Sequence, residues 1–323
     1  MNTGVRITAF AAALAATFGT AYGVGAGVGP MGAPAKAEHA GHAAPARDEG
    51  GGDGHADHGK AAQASAAGGL QVSEGGYTLS LETPRVEAGP GGIRFSVKDD
   101  AGRKVTAYKT EHGKELHFIV ASRDLTVYRH LHPERAADGT WSTPVDLPAA
   151  GGYKVFADFT PATPGAKGVT LGADLSVPGG YRPAALPPAA TTAEVEGYQV
   201  ALGGTLEPGR AGELTLTVSK DGKPVTDLEP YLGAYGHLVA LRDGDLAYLH
   251  VHPNEGGPGP EVSFTATAPS VGTYRLFLDF QHGGKVRTAA FTVHAGAPAN
   301  PAPAQAPTTP TTTPAAEPDG HSH

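Results

Sequence analysis

The sequence predicts an all-β protein: two tandem immunoglobulin-like β-sandwich domains, with an N-terminal hydrophobic export or anchor helix and disordered tails. Three observations lead there. Short β-rich runs alternate with Gly, Pro and Asp turn signals. Two stretches are near copies of each other, "HFIVASRDLTVYRHLHP" (117–133) and "HLVALRDGDLAYLHVHP" (237–253). Segments poor in apolar pattern separate these blocks from the chain ends.

Taken in order, residues 1–30 carry one arginine, Arg6, ahead of an uncharged apolar run over 7–29. That run reads as an export signal, and it is long enough to stay in a bilayer as an anchor. Ala35, Lys36 and Ala37 form a small-x-small cleavage pattern that lies late for such a signal. Either way the remainder is expected to work outside the cytoplasm, secreted or tethered. Residues 31–76 are rich in Gly, Ala, His and acid and cannot bury a core, so a disordered linker is expected.

The first β block, 77–177, holds "YTLSLE", "IRFSV" and "LHFIVAS". A Pro-rich linker, 178–197, separates it from the second block, 198–294, with "YQVAL", "ELTLTVS", "HLVAL" and "TYRLFLDF". After residue 30 no stretch sustains a helical period. Each block, at about 100 residues, can bury its own core as an immunoglobulin-like sandwich. The tail, 295–323, is rich in Pro, Thr and Ala and reads as extended and flexible.

Composition narrows the chemistry. There are no cysteines, which excludes disulfides, thiolate metal sites, iron–sulfur clusters and a cysteine nucleophile. The only methionines are Met1 and Met31, which excludes a methionine-rich Cu(I) site. A net charge of −8 with no basic stripe speaks against nucleic acid. Fifteen histidines are the one excess.

Six of those histidines recur at matched places: His117, His130 and His132 in the first block, His237, His250 and His252 in the second. Of 17 aligned positions five are identical, and three of the five are these histidines, which sets them apart from generic strand positions. Residues i and i+2 of a strand share a face. A four-residue loop at 122–125 would set His117 opposite His130, and likewise His237 opposite His250, with Cβ atoms roughly 4.5–5.5 Å apart. Three imidazoles so placed can converge on one Cu(II) or Zn(II) ion per domain. Neutral imidazole is the ligand, so affinity is expected to fall as pH drops through about 6.5. A strand histidine held only by hydrogen bonds is the plainer alternative.

Asp158 and Asp279 stand at matching places in "FADF" and "FLDF". They read first as carboxylates bracing loops, then as groups orienting a histidine, then as ligands. His112, His282 and His294 have no counterpart in the other block and read as surface residues. His39, His42, His55, His58, His321 and His323 lie in the terminal segments, where short His-rich tracts bind metal loosely.

The export segment, the β pattern and "GHLVALRDGDLAYLHVHP" with its partner resemble exported bacterial proteins with tandem immunoglobulin-like or cupredoxin-like domains, the YtkA-like domains among them. That resemblance implies extracytoplasmic, copper-associated binding rather than a defined reaction. "HVH" is also similar to the copper ligands of Cu/Zn superoxide dismutase, but that family's further ligands and disulfide are absent here, so its activity does not carry over.

Three functions follow. The first is a metal buffer or carrier. The second is a tandem β-sandwich scaffold that meets a cell-surface or membrane protein without specific metal. The third is a zinc enzyme, since three histidines with an open position also suit catalysis. A general base is not conserved between the copies: Glu134 follows the first His-Pro and Asn254 the second. No nucleophile elbow or phosphate loop is present, so the protein reads as not an enzyme.

Overall fold

In the computed structural model every described element is a β-strand, and the strands form four antiparallel sheets. The structure describes residues 67–249 and 251–296, and of His252 only the backbone. The expected export segment and residues 31–66 of the expected linker lie outside the described residues, as do the tail from 297 onward, His250 and the six terminal histidines. Among the described residues no helix is long and apolar enough to cross a membrane.

The first block builds β1 (Ser73–Glu74), β2 (Tyr77–Leu81), β3 (Gly89–Asp99), β4 (His117–Ser122), β5 (Tyr128–Leu131), β6 (Glu134–Arg135), β7 (Thr140–Leu147), β8 (Gly151–Phe159) and β9 (Val169–Val177). One sheet runs β1-β2-β3-β7-β6 and the other β5-β4-β8-β9. The second block supplies β10 (Thr192–Val195), β11 (Tyr198–Gly204), β12 (Gly212–Lys220), β13 (Lys223–Pro224) and β14 (His237–Arg242). It continues with β15 (Tyr248–Leu249), β16 (Val251–Pro253), β17 (Glu261–Ala266), β18 (Gly272–His282) and β19 (Lys285–Ala295). Its sheets run β10-β11-β12-β17-β16, with β13 beside β12, and β15-β14-β18-β19. In each domain the chain passes from one sheet to the other and back in groups of two to four consecutive strands, forming an immunoglobulin-like sandwich.

Alternation along β7, "TWSTPVDL", sends Trp141, Thr143, Val145 and Leu147 inward, and Trp141 joins the first core beside Phe95 and Phe118. The second core gathers Val200, Leu216, Phe264, Leu276 and Phe291. Each domain has a tyrosine corner. Tyr153 donates its hydroxyl to the Ala149 carbonyl at 2.7 Å, and Tyr274 to the Ser270 carbonyl at 2.9 Å. The parallel strings "LPAAGGY" and "APSVGTY" were the legible signal for these corners.

Four strands do not alternate. β4, β8, β14 and β18 are buried on both faces, because one face lines the sandwich core and the other meets the second domain. Ile119, Ala121, Leu125, Tyr128 and Phe156 form a third apolar cluster with Val239, Leu241, Leu246, Tyr248 and Phe277. Tyr128 stacks on Phe277 with centroids 4.1 Å apart, and Phe156 meets Tyr248 at 5.6 Å. The near-continuous runs "FIVA" and "LFL" are the composition of strands covered on both sides.

Three expected boundaries move. Structure begins before residue 77: Gly68 bridges to Tyr248, Gly69 donates to the Thr170 carbonyl, and β1 pairs with β2. Gly69 and Gly172 are glycines of necessity, since a Cβ on Gly172 would lie 1.9 Å from the Gly69 oxygen. The Pro-rich segment is held along both domains, Ala184 donating to Asp124 and Ala190 to the Thr292 carbonyl, and β10 belongs to the second domain. Ala295 is the buried last residue of β19 rather than the start of a tail.

Replacing Tyr153 or Tyr274 by Phe removes the corner bond and leaves a carbonyl unpaired. A loss of about 1–3 kcal/mol is expected for each, read as a lower denaturant midpoint with unchanged slope.

Candidate functional site

The hairpin that carries the first histidines is one position out of the expected loop. The Ser122 N–H donates to the Val127 carbonyl, so the loop is 123–126, and the ladder reads Phe118↔Leu131 and Ile119↔His130. His130 therefore sits opposite Ile119, not opposite His117. The second hairpin is offset in the same way, with Ala240↔Leu249 where His237 opposite His250 was expected. The error is two residues in register, which preserves the face, so His117, His130 and His132 still converge. Their candidate ligand atoms all lie within 4.8 Å of one another.

The second domain departs from the first after Leu249. There the chain leaves the inner sheet, and β16 joins the other sheet with His252 paired to Thr265. His237 lies instead beside the first domain's cluster, its ring 6.1 Å from His130 and 6.3 Å from His117. Among the described residues there is one histidine triad.

Each strand histidine has a fixed outer contact. The His117 Nε2 faces the Glu111 carbonyl at 3.4 Å, and the His237 Nε2 faces the Tyr231 carbonyl at 2.7 Å. Both carbonyls belong to tight turns, "EHGK" and "YLGA", closed by Glu111–Lys114 and Tyr231–Ala234 bridges. Positive φ at His112, Gly113, Leu232 and Gly233 matches turns of the primed type. His117 Nδ1 meets His130 Nε2 at 3.1 Å, and His130 Nδ1 meets Asp279 Oδ2 at 2.8 Å. The His132 Nδ1 lies 3.4 Å from the Tyr231 hydroxyl, while its Nε2 is buried with no hydrogen bond.

Asp279 does not brace a loop. It is buried on the inter-domain face of β18, accepts from Thr288 on one oxygen and faces His130 with the other. The His130 and Asp279 side chains are 7% and 3% exposed, so the pair is shielded from water. Asp158 holds the matching place, accepting from Thr170 and lying beside the Tyr248 phenol. Of the unmatched histidines, His112 is exposed but stacks edge-on to the His117 and His237 rings. His282 is partly buried between Tyr198 and Asp227, and His294 is exposed beside Thr273. The sequence had no signal for Tyr231, for the Glu111 carbonyl or for the crossing of Asp279 to the other domain's histidine.

A cleft of about 450 Å³ opens beside the cluster, lined by His112, His117, His130, Asp158 and His237. Burial holds His117 down to about 3, helped by the neighbouring His130, and burial does the same to His132. His237 is lowered too, chiefly by burial. The loss of neutral imidazole expected near pH 6.5 therefore does not apply to His117 and His132.

Two fused sandwiches with a half-buried histidine cluster at their seam define a tandem immunoglobulin-like β protein. The chain belongs to the family described as Domain of unknown function (DUF8832), whose model matches twice, over residues 71–170 and 193–297. That description names no metal and no activity, and the match gives no support to the YtkA-like, copper-associated resemblance. No curated protein matches the sequence. Among solved structures it is similar to Yersinia pseudotuberculosis InvD, at 12% identity over 69% of this chain and 59% of that one, TM-score 0.22. Invasin, a bacterial integrin-binding protein, matches at 13% identity over 70% of this chain and 41% of that one, TM-score 0.21. Domains 4 and 5 of the S-layer protein SbsC match at 15% identity over 70% and 100%, TM-score 0.19. The chain spans about three fifths of the InvD chain.

Histidine in the unfolded chain takes up a proton near pH 6.5, whereas folded His117 and His132 do so only near 3. The unfolded state therefore binds more protons below about 6.5, and stability falls progressively from there toward pH 3. The urea midpoint should drop between pH 7.5 and pH 4, and a His117→Gln, His132→Gln variant should show a shallower drop.

Proposed function

We propose that the protein acts outside the cytoplasm as a rigid, non-catalytic two-domain β scaffold, and that this scaffold carries a divalent metal ion in its seam. The scaffold reading is the broader one, and the apolar layer shared by the domains supports it: ten buried residues from both domains make one continuous cluster. A surface so fully apolar is not left to open and close freely in water. The export segment expected over 1–30 supports delivery to the cell surface or periplasm, where an unidentified surface or membrane protein is the natural partner. The lack of a consistent general base beside the histidines argues against a zinc enzyme.

The metal reading is narrower, and one observation carries it. His117, His130 and His132 bring three imidazoles within ligating distance, and the His132 Nε2 is buried with nothing to bond. A buried nitrogen without a partner costs about 1–3 kcal/mol, which an ion in the cluster removes. All-imidazole coordination suits Cu(II) or Zn(II), in keeping with a buffer or carrier. The loose His tracts at the two ends fit collection of the same ions.

Each reading has its own test. Phe277→Ala opens the seam and should cost about 3–5 kcal/mol, and calorimetry should then show two unfolding transitions where the unaltered chain shows one. Two transitions in the unaltered chain would remove the rigid-scaffold reading. For the metal, calorimetric titration with Zn(II) or Cu(II) uses the full chain with His39, His42, His55, His58, His321 and His323 changed to Ala. Saturable binding should lose one ion per chain when His117, His130 and His132 are also changed to Ala. No saturable binding would leave a scaffold without metal.

A further inference from the structure

The hydrogen bonds that join His117 and His130 call for one more hydrogen than two neutral imidazoles carry. Three contacts run in series: the Glu111 carbonyl to His117 Nε2, His117 Nδ1 to His130 Nε2, and His130 Nδ1 to Asp279 Oδ2. Each needs one hydrogen. A carbonyl only accepts, and Asp279 already accepts from Thr288 on its other oxygen. The two outer hydrogens therefore sit on His117 Nε2 and His130 Nδ1. A neutral imidazole has one N–H, so none remains for the middle contact. His117 Nδ1 and His130 Nε2 are left pointing lone pairs at each other across 3.1 Å.

Two further observations agree. His237, at the place matching His117, directs its Nε2 to the matching carbonyl at 2.7 Å, so the same tautomer recurs in the second domain. His132 adds a third bare nitrogen, its Nε2, while its Nδ1 lies against the Tyr231 hydroxyl. Nitrogens about 2.0–2.1 Å from a tetrahedral ion stand about 3.3 Å from one another, close to the observed 3.1 Å.

Resting on the metal reading above, we infer that one divalent ion sits between His117 Nδ1, His130 Nε2 and His132 Nε2, and that the second domain completes the site. Asp279 and Tyr231 belong to that domain, yet they hold the far nitrogens of His130 and His132, the ligands of the first. They are positioning residues, setting which nitrogen carries the proton and which is free to bind. The ligand nitrogens bear no hydrogen, so uptake displaces no proton from them. Because the tautomers depend on the docked arrangement, the ion stabilises docking and docking raises affinity for the ion. The ion is a latch between the domains.

The test uses the full chain carrying the six terminal His→Ala changes, with Zn(II) as the probe. In the metal-free protein, long-range proton–nitrogen NMR should find His130 with its hydrogen on Nδ1 and His117 with its hydrogen on Nε2. The opposite tautomer at His130 overturns the inference without any variant. Asp279→Asn, which keeps the side-chain volume, should weaken Zn(II) binding by about 10-fold or more and erase the tautomer preference of His130. Saturating Zn(II) should slow amide hydrogen exchange in β14 and β18 of the second domain as well as in β4 and β5. Unchanged affinity in Asp279→Asn, with binding still abolished by the triple histidine variant, confines the ion to the first domain; the metal reading then stands and the latch falls. Absence of Zn(II) binding in the unaltered chain removes both.

Discussion

The apolar layer between the two inner sheets is the constraint on which the rest of this structure depends. A sandwich needs only one buried face per sheet, and its other face ordinarily meets water. Here Phe156 and Phe277 occupy that second face and have no place in either domain's own core. They are covered only when the domains meet, Tyr128 on Phe277 and Tyr248 on Phe156. Burying four aromatic rings this way is worth several kcal/mol in transfer terms alone. The segment at Gly68 and Gly69 and the Pro-rich connection are drawn along the same seam by their own hydrogen bonds.

Polar chemistry gathers where that layer ends. Moving along β4 and β18 from the aromatic centre, the inter-domain face changes from Ile119 and Phe277 to His117 and Asp279. Polar groups buried beside an apolar layer must find partners or be destabilising. Most do: Asp279 has Thr288 and His130, and His237 has a backbone carbonyl. His132 does not satisfy its Nε2 within the protein. A buried cluster that leaves imidazole nitrogens facing one another or facing nothing is the pattern of a site that awaits a ligand rather than of a polar core.

Duplication explains why the partners exist at all, and divergence explains why the halves are not equal. The tyrosine corners, the Thr–Asp bonds at 170 and 158 and at 288 and 279, and the two histidine-facing turns are matched pairs. Packing two related faces against each other places each domain's carboxylate near the other domain's strand. The halves part after Leu249, where the second domain's chain crosses to the outer sheet earlier than the first does after Leu131. His252 thereby lies on a strand paired with β17, whereas His132 stays with the cluster.

The sequence by itself determined the all-β class, the tandem repeat and the shared face of His117, His130 and His132. Strand period and turn residues are local properties, and parity along a strand survives a register error of two. It placed the hairpin loop wrongly because Leu125 adopts a left-handed conformation that nothing in "SRDL" announces; the buried side chain holds it there. Period alone also read Asp279 as a loop brace, since the group it faces lies 149 residues away. Only the tertiary structure decided that pairing and the seam that creates it. The reason is physical: which residues cover the second face of a sheet depends on what docks there, and no local pattern encodes the docking partner.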